Sequence, residues 1–323
     1  MPQMTTVTLD SGEVIQFDAA MPTVDDGLAF FLSQLSQTEA KIYEAKYRNI
    51  VYPDFIPVDT SQPEWIDTVT YISYDAVTMG KFIGANAKDL PQSDINASKS
   101  TIQVFYGGNS YGYSLDELRK SQQLRIPVDT TKGRMSFRGF QEHAQRVAFF
   151  GDSDRGITGL FNNANVQLSN SLLNFTTATG QEVISYMNAL LITVWQNSAE
   201  THLANMFVLD SDNWAIISEK RMDSGTDTTV LEYFKTNNLY TAMTGSELSI
   251  KPNFEMKTAG ESGVPRMMAY EMNDDNLVMH MPMPWRSLAP QPDGLRVNVP
   301  AEYKFGGVEF RYPGSAAYHD NAA

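Results

Sequence analysis

Two kinds of pattern share this chain unevenly. In one, apolar residues return every three or four positions; in the other, β-branched and aromatic residues crowd together. The clearest of the first kind places Phe137, Phe140, Ala144, Val147 and Ala148 at i, i+3, i+7, i+10 and i+11, one apolar stripe. It predicts a long helix over 129–150, capped by Asp129, with Arg138, Glu142 and Arg146 as a charge ladder off the stripe. Gly133 and Gly139 each lower helix propensity by roughly 1 kcal/mol relative to Ala, which suggests close approach of another backbone. A second helix is predicted from Gly180 to Asn197 by Ile184, Met187, Leu191, Val194 and Trp195. A third runs from Gly27 to Arg48 on Phe30, Phe31, Leu35, Ile42 and Tyr43, after a polar stretch that reads as an arm. A short one, "SLDELRKSQQLR", starts with Ser114 as N-cap and Glu117 completing a capping box.

The second pattern appears in "WIDTVTYISY" (65–74) and "STIQVFYGGNSYGY" (100–113), both read as strands. About 25 residues lie between them, with Gly80, Gly84 and Pro91 and no core pattern; loops of that length are functional or held by a partner. The pair therefore reads as a long two-stranded finger with little of its own chain to pack against. A bare hairpin is marginal in water, so a partner is expected to cover it. Beyond the second helix come "NMFVLD" (strand), "NWAIISEKR" (ambiguous), "VLEYFKTNN" (helix) and "SELSIKPN" (strand). "PRMMAYEM" and "NLVMHMP" then read as strands around an "NDDN" turn. "LRVNVPAEYKFGGVEFRYPGSAAYHDN" reads as two strands joined at Gly306-Gly307, then a short tail.

With 323 residues, 42% of them apolar and 19% charged, the chain can bury one large or two ordinary cores. The absence of cysteine excludes disulfides, Cys-ligated metals and thiol nucleophiles. Its start lacks a basic and an apolar signal region, and its most apolar window, 183–195, is polar-interrupted and too short to span a bilayer. A soluble protein made inside the cell, with no membrane partner, is expected. A net charge of −14 argues against tight nucleic-acid binding, which needs clustered Lys and Arg.

Candidate chemistry centres on "FFGDSDRGITGLFNN" (149–163), with Gly151, Gly156 and Gly159 and the spaced acids Asp152 and Asp154. It has no lysine and no Walker spacing, and it follows a helix where a dinucleotide loop would follow a strand. As a calcium loop it has Gly156, Ile157 and Asn163 at positions five, six and twelve, where Asp or Asn, Gly and Glu belong. The reading left is structural: Gly151 ends the helix in a left-handed cap, and Gly156 and Gly159 serve the turns that follow. His143, His202, His280 and His319 share no local pattern with a second ligand, and "MHMPMPWR" reads as strand alternation, not a methionine metal tract. Asp210/Asp212 and Asp274/Asp275 sit in turn-like surroundings. No catalytic constellation occurs, so no enzyme activity, catalytic residue, cofactor or metal is assigned.

The order of arm, finger, long helix, glycine loop, α/β segment and returning strands resembles the major capsid proteins of tailed bacteriophages, the Hong Kong 97-type fold that also builds encapsulin shells. "YGYSLDELRKSQ" (111–122) is similar to that family's strand-to-helix passage, "EHAQRVAFFGDSDRGITGLFNN" (142–163) to its spine-helix end and glycine loop, and "VEFRYPGSAAYHD" (308–320) to its terminal strand. The resemblance covers roughly 55–320 and implies an α+β Hong Kong 97-type capsid fold. It implies an N-terminal arm and helix over 1–58, an extended β-hairpin loop over 59–113, and a peripheral domain over 114–175 with spine helix 129–150. An axial α/β domain over 176–275 and a return to the peripheral domain over 276–323 complete it.

The implied function is a major capsid subunit that self-assembles into hexamers and pentamers of an icosahedral head around double-stranded DNA. It would reside in the virion and assemble in the host cytoplasm. The alternatives are an encapsulin-type compartment shell and, from another class, a soluble hydrolase or binding protein with an unrecognised site. Too few residues precede the finger for a fused scaffold, so a separate scaffolding protein is expected, with a portal, a possible decoration protein and DNA enclosed without sequence-specific binding. Some relatives cross-link through a loop lysine; Lys81, Lys88 and Lys99 are read here as solvated.

Overall fold

The computed structural model describes residues 5–8, 14–17, 48–77, 94–117, 119, 128–171, 173–223, 225 and 227–321. The chain divides into two compact units, Met1–Asn49 and Ile50–Ala323. In the first, β1 (Thr5–Thr8) and β2 (Val14–Phe17) form an antiparallel hairpin where a plain arm was expected. The helix predicted from Gly27 lies outside the described residues apart from Arg48, which is not helical.

The second unit is organised by a five-stranded sheet in the order β6 (Gln167–Ser171), β15 (Ala316–Asn321), β9 (Arg266–Tyr270), β7 (Met206–Leu209), β8 (Ser249–Pro252). Its central strands are buried from end to end because both faces are covered. Met206, Val208, Met268, Tyr270, Ala316 and Tyr318 point into a core shared with helix α1 (Val128–Phe150). Phe207, Leu209, Met267, Ala269 and Ala317 point into a second core. Helices α2 (Gly180–Asn197), α3 (Ser211–Glu219) and α4 (Val230–Thr236) close that one.

Local capping fixes these helices. Thr179 and Glu182 make a reciprocal capping box at α2, and Asp210 accepts from the Asp212 and Asn213 amides at α3, which settles "NWAIISEKR" as helix. Thr229 caps α4, and a further short helix, α5 (Leu239–Thr244), is capped by Asn238 and ends at Gly245 in the left-handed conformation. The capping box at Ser114 and Glu117 also forms, with both reciprocal bonds near 3 Å.

Two further sheets join at α1. β3 (Val58–Asp59) runs parallel to β10 (Leu277–His280), which pairs on its other side with β14 (Val308–Phe310). The remaining sheet has the order β11 (Met283–Ser287), β13 (Arg296–Gly306), β5 (Asp94–Ser114), β4 (Thr68–Val77), with β12 (Gln291–Asp293) folded back on β13. The first finger strand is therefore shifted, 68–77 in place of 65–74, and the second is longer, 94–114 in place of 100–113. β5 is shared. Its residues 94–103 pair with β4, and 104–114 pair with β13 in the body.

The segment read as a short tail is a correction. Residues 316–321 are β15, between β6 and β9, in the interior of the five-stranded sheet. Asp320 there is held by Arg266, with Nε to Oδ1 at 2.5 Å and Nη2 to Oδ2 at 2.8 Å, while Nη1 donates to the Phe161 carbonyl.

Candidate assembly surfaces

The glycine loop is where the sequence asks for chemistry, and its geometry gives each glycine a backbone role. Gly151 (φ 70°) ends α1, donating to the Val147 carbonyl at 2.8 Å, and a Cβ there would collide with the Ile157 carbonyl oxygen. Asp152 accepts from the Asp154 amide and exchanges backbone bonds with Ile157, and Gly156 (φ 67°) closes that turn. Gly159 is required by closeness, not by its own dihedral: a Cβ would collide with the Phe149 carbonyl. The returning chain satisfies the last carbonyls of α1. Leu160 and Phe161 amides donate to Ala148 and Phe149 oxygens at 2.8 and 2.9 Å, and Asn162 Nδ2 donates to Phe150 at 2.5 Å. This is the negative end of the helix, and its last carbonyls are already capped.

The spine stripe is buried at Phe140, Ala144 and Val147, but Phe137 is 40% exposed. Its ring overhangs the core and meets Trp285 edge-on at 5.3 Å. The two helix glycines also differ from expectation: a Cβ at Gly133 would sit 3.4 Å from the Tyr111 hydroxyl and one at Gly139 3.7 Å from Asn109 Nδ2, both side chains at ordinary contact distance. No second backbone demands glycine there.

The remaining candidates are structural. His143 Nδ1 lies 2.8 Å from the Tyr303 hydroxyl, and burial pushes its imidazole below the usual range. His202 pairs with Glu271 at 2.7 Å, and His319 stacks on Tyr186. Met279, Met281 and Met283 are all core residues, so "MHMPMPWR" does not alternate; it is buried on both sides through His280. Asp210 is a helix cap, and Asp275 donates its amide to Asn273 in a turn. Among the described residues no group of three or more His, Cys, Asp or Glu could hold a metal, and no helix is long and apolar enough to cross a membrane.

What the described surface does offer lies on and beside the finger. Trp65 in the root is 81% exposed, Ile72 on β4 56%, and Tyr106 in the body half of β5 60%. Lys99 is exposed on β5; Lys81 and Lys88 lie outside the described residues. The finger's root, 59–67, is tied down by charge. Partial burial alone would raise the Asp59 carboxyl, but donors from Ser61 and Gln62, with His280 beside it, outweigh burial and hold it at about 2. Sequence reasoning missed this root, since its bases are more than two hundred residues away.

Two closed cores and a capped helix end complete the body, while residues 68, 70 and 72 of the ribbon stay exposed. The family described as Major capsid protein matches residues 79–321, and the chain belongs to that family, whose members are structural proteins and not enzymes. Its fold is shared with "The capsid of Myoviridae Phage XM1", at TM-score 0.78 and 15% identity over 90% of this chain and 97% of that one. The structure titled "Mycobacterium phage Ogopogo" gives 0.59 and 12% over 90% and 98%. "Capsid of native GTA particle computed with C5 symmetry" gives 0.61 and 12% over 89% and 95%. Among curated proteins none matches the chain.

Proposed function

We propose that copies of this capsid subunit build the hexamers and pentamers of an icosahedral bacteriophage head that encloses double-stranded DNA. The observation that carries the reading is the family match over three quarters of the chain. The finger fits it: a ribbon with residues 68, 70 and 72 exposed needs a neighbouring copy to bury it, and a standard interface would remove on the order of 800 Å² per partner.

In this reading 1–58 is the arm, 59–113 the extended loop over a neighbour, and 114–175 the peripheral domain around spine helix 129–150. Residues 176–275 form the axial domain and 276–323 the returning segment, whose last strand is shared with the axial sheet. Gly151, Gly156 and Gly159 shape the spine-helix exit, and Phe137, Phe140, Ala144 and Val147 seat the spine helix. A separate scaffolding protein, a portal and a decoration protein are the partners it calls for, with assembly in the host cytoplasm. The net charge of −14 lets enclosed DNA slide along the wall without adhering.

Negative-stain electron microscopy of the chain expressed alone and with its neighbouring genes tests this. Closed particles containing DNA are expected. Closed particles filled with a protein cargo would establish an encapsulin-type shell instead, and a persistent monomer in the presence of a scaffold would overturn the shell reading.

A further inference from the structure

The finger joins the body through two unequal connections. On one side β5 passes without a break from the finger into the body sheet, where 104–114 pair with β13. On the other side runs the root "DTSQPEWID", 59–67, in which Trp65 is almost fully exposed and Pro63 and Glu64 face solvent. Its acids each meet a base on a body strand. Asp59 Oδ2 lies 3.4 Å from His280 Nδ1 on β10, Glu64 Oε2 2.9 Å from Arg286 Nη1 on β11, and Asp67 Oδ1 2.6 Å from Lys304 Nζ on β13.

The three pairs are not equivalent. His280 keeps a second carboxylate, Glu309, at 2.7 Å, and Arg286 keeps Glu302 at 2.6 Å. Lys304 has Asp67 as its one carboxylate within ion-pair distance among the described residues, and its side chain is 7% exposed whereas that of Asp67 is 87% exposed. If the root leaves, His280 and Arg286 stay paired, and Lys304 becomes a buried cation with no counter-charge, a costly state. The same root residue accepts a backbone bond from Val104 at 2.9 Å, at the point where β5 changes partner.

We propose that residues 59–67 are an ionic latch that sets the angle of the finger, with Asp67–Lys304 as its bolt and the continuous strand β5 as its pivot. Closed, the latch holds the finger in one orientation; with the bolt withdrawn, the finger swings about Val104. The latch belongs to the single chain. Its use rests on the capsid reading, in which one subunit must lay the same finger on neighbours at different curvature.

The natural chain has no cysteine, so Ile72→Cys on the finger and Gln181→Cys at the start of α2 give a clean pair of spin labels on the unassembled full chain. Pulsed electron resonance is expected to show one narrow distance at low ionic strength. A second, broader population should appear at about 1 M salt, where charges are screened within ~3 Å. Asp67→Asn should show that broad population already at low salt, with at least tenfold faster exchange of the Val104 amide, and Asp67→Glu should restore the narrow distance. An unchanged distance in both high salt and Asp67→Asn would overturn the latch. If Asp67→Asn fails to fold, the salt titration of the labelled chain decides alone: a distribution that does not change with salt overturns it. Because shells are not formed in this experiment, failure of the latch and failure of the capsid reading are separate results.

Discussion

The five-stranded sheet and the finger are both built from β-strands, yet they solve opposite problems. Strands β15, β9 and β7 are buried on both faces, with Tyr270 and Tyr318 inside one core and Phe207 and Leu209 inside the other. Strand β4 and the outer half of β5 pair with each other, and Ile72 faces solvent. The sheet is a finished product of one chain. With the finger covered by a neighbouring copy, as proposed above, mutations in the two regions should separate folding from assembly.

The largest effect is expected from Arg266→Ala, which strands the Asp320 carboxylate inside the sheet. Its removal should lower the unfolding free energy of the unassembled chain by about 3–5 kcal/mol in urea titrations. A loss below ~1 kcal/mol would mean the sheet does not depend on the pair. Next comes Gly159→Ala, whose methyl would have to displace the Phe149 carbonyl, at a cost of roughly 2–3 kcal/mol. Gly139→Ala, with ordinary contact at 3.7 Å, should instead stabilise α1 by up to ~1 kcal/mol, and equal losses at the two sites would refute the distinction.

Asp59 moves the comparison to the finger's root. Its folded-state carboxyl is depressed from 3.8 to about 2, so the stability it contributes is complete above pH 3.8 and is lost as pH falls through about 2. That window corresponds to about 2 kcal/mol. Acid titration monitored by circular dichroism should show the loss, and Asp59→Asn should flatten the profile between those limits.

The smallest effect on folding is expected in the finger itself. Trp65→Ala and Ile72→Ala should each change unfolding free energy by no more than ~0.5 kcal/mol. Both should nevertheless cut the yield of particles in sedimentation, because the side chains removed are those left for a neighbour. Destabilised monomers with normal particle yield would invert the comparison.

How legible these regions were follows from what each strand touches. The finger announced itself because "TVTYISY" is β-branched and aromatic with no helical periodicity, and the spine helix because one stripe faces one core. β15 was hidden: "AAYHDN" shows no alternation when both faces are covered, and its polar end is paid for by Arg266, fifty-four residues earlier in the chain. Phe137 fits the stripe by spacing, yet the helix overhangs the core there, and among the described residues its ring meets Trp285 and Phe140. The glycine loop was readable as a turn from its spacing, but the reason for Gly159 was not, since that reason is the carbonyl of Phe149 lying against it. The root's acids were in plain view; their partners on β10, β11 and β13 are fixed by topology alone.

The position of β6 in the sheet also sets a timetable. Among the described residues its one neighbour is β15, paired in parallel about 150 residues further along, so β6 lacks that partner until the strand has been made. During synthesis the segment after the glycine loop must wait while helices α2 to α5 fold ahead of it. A subunit therefore completes its body only after nearly all of the described chain has left the ribosome.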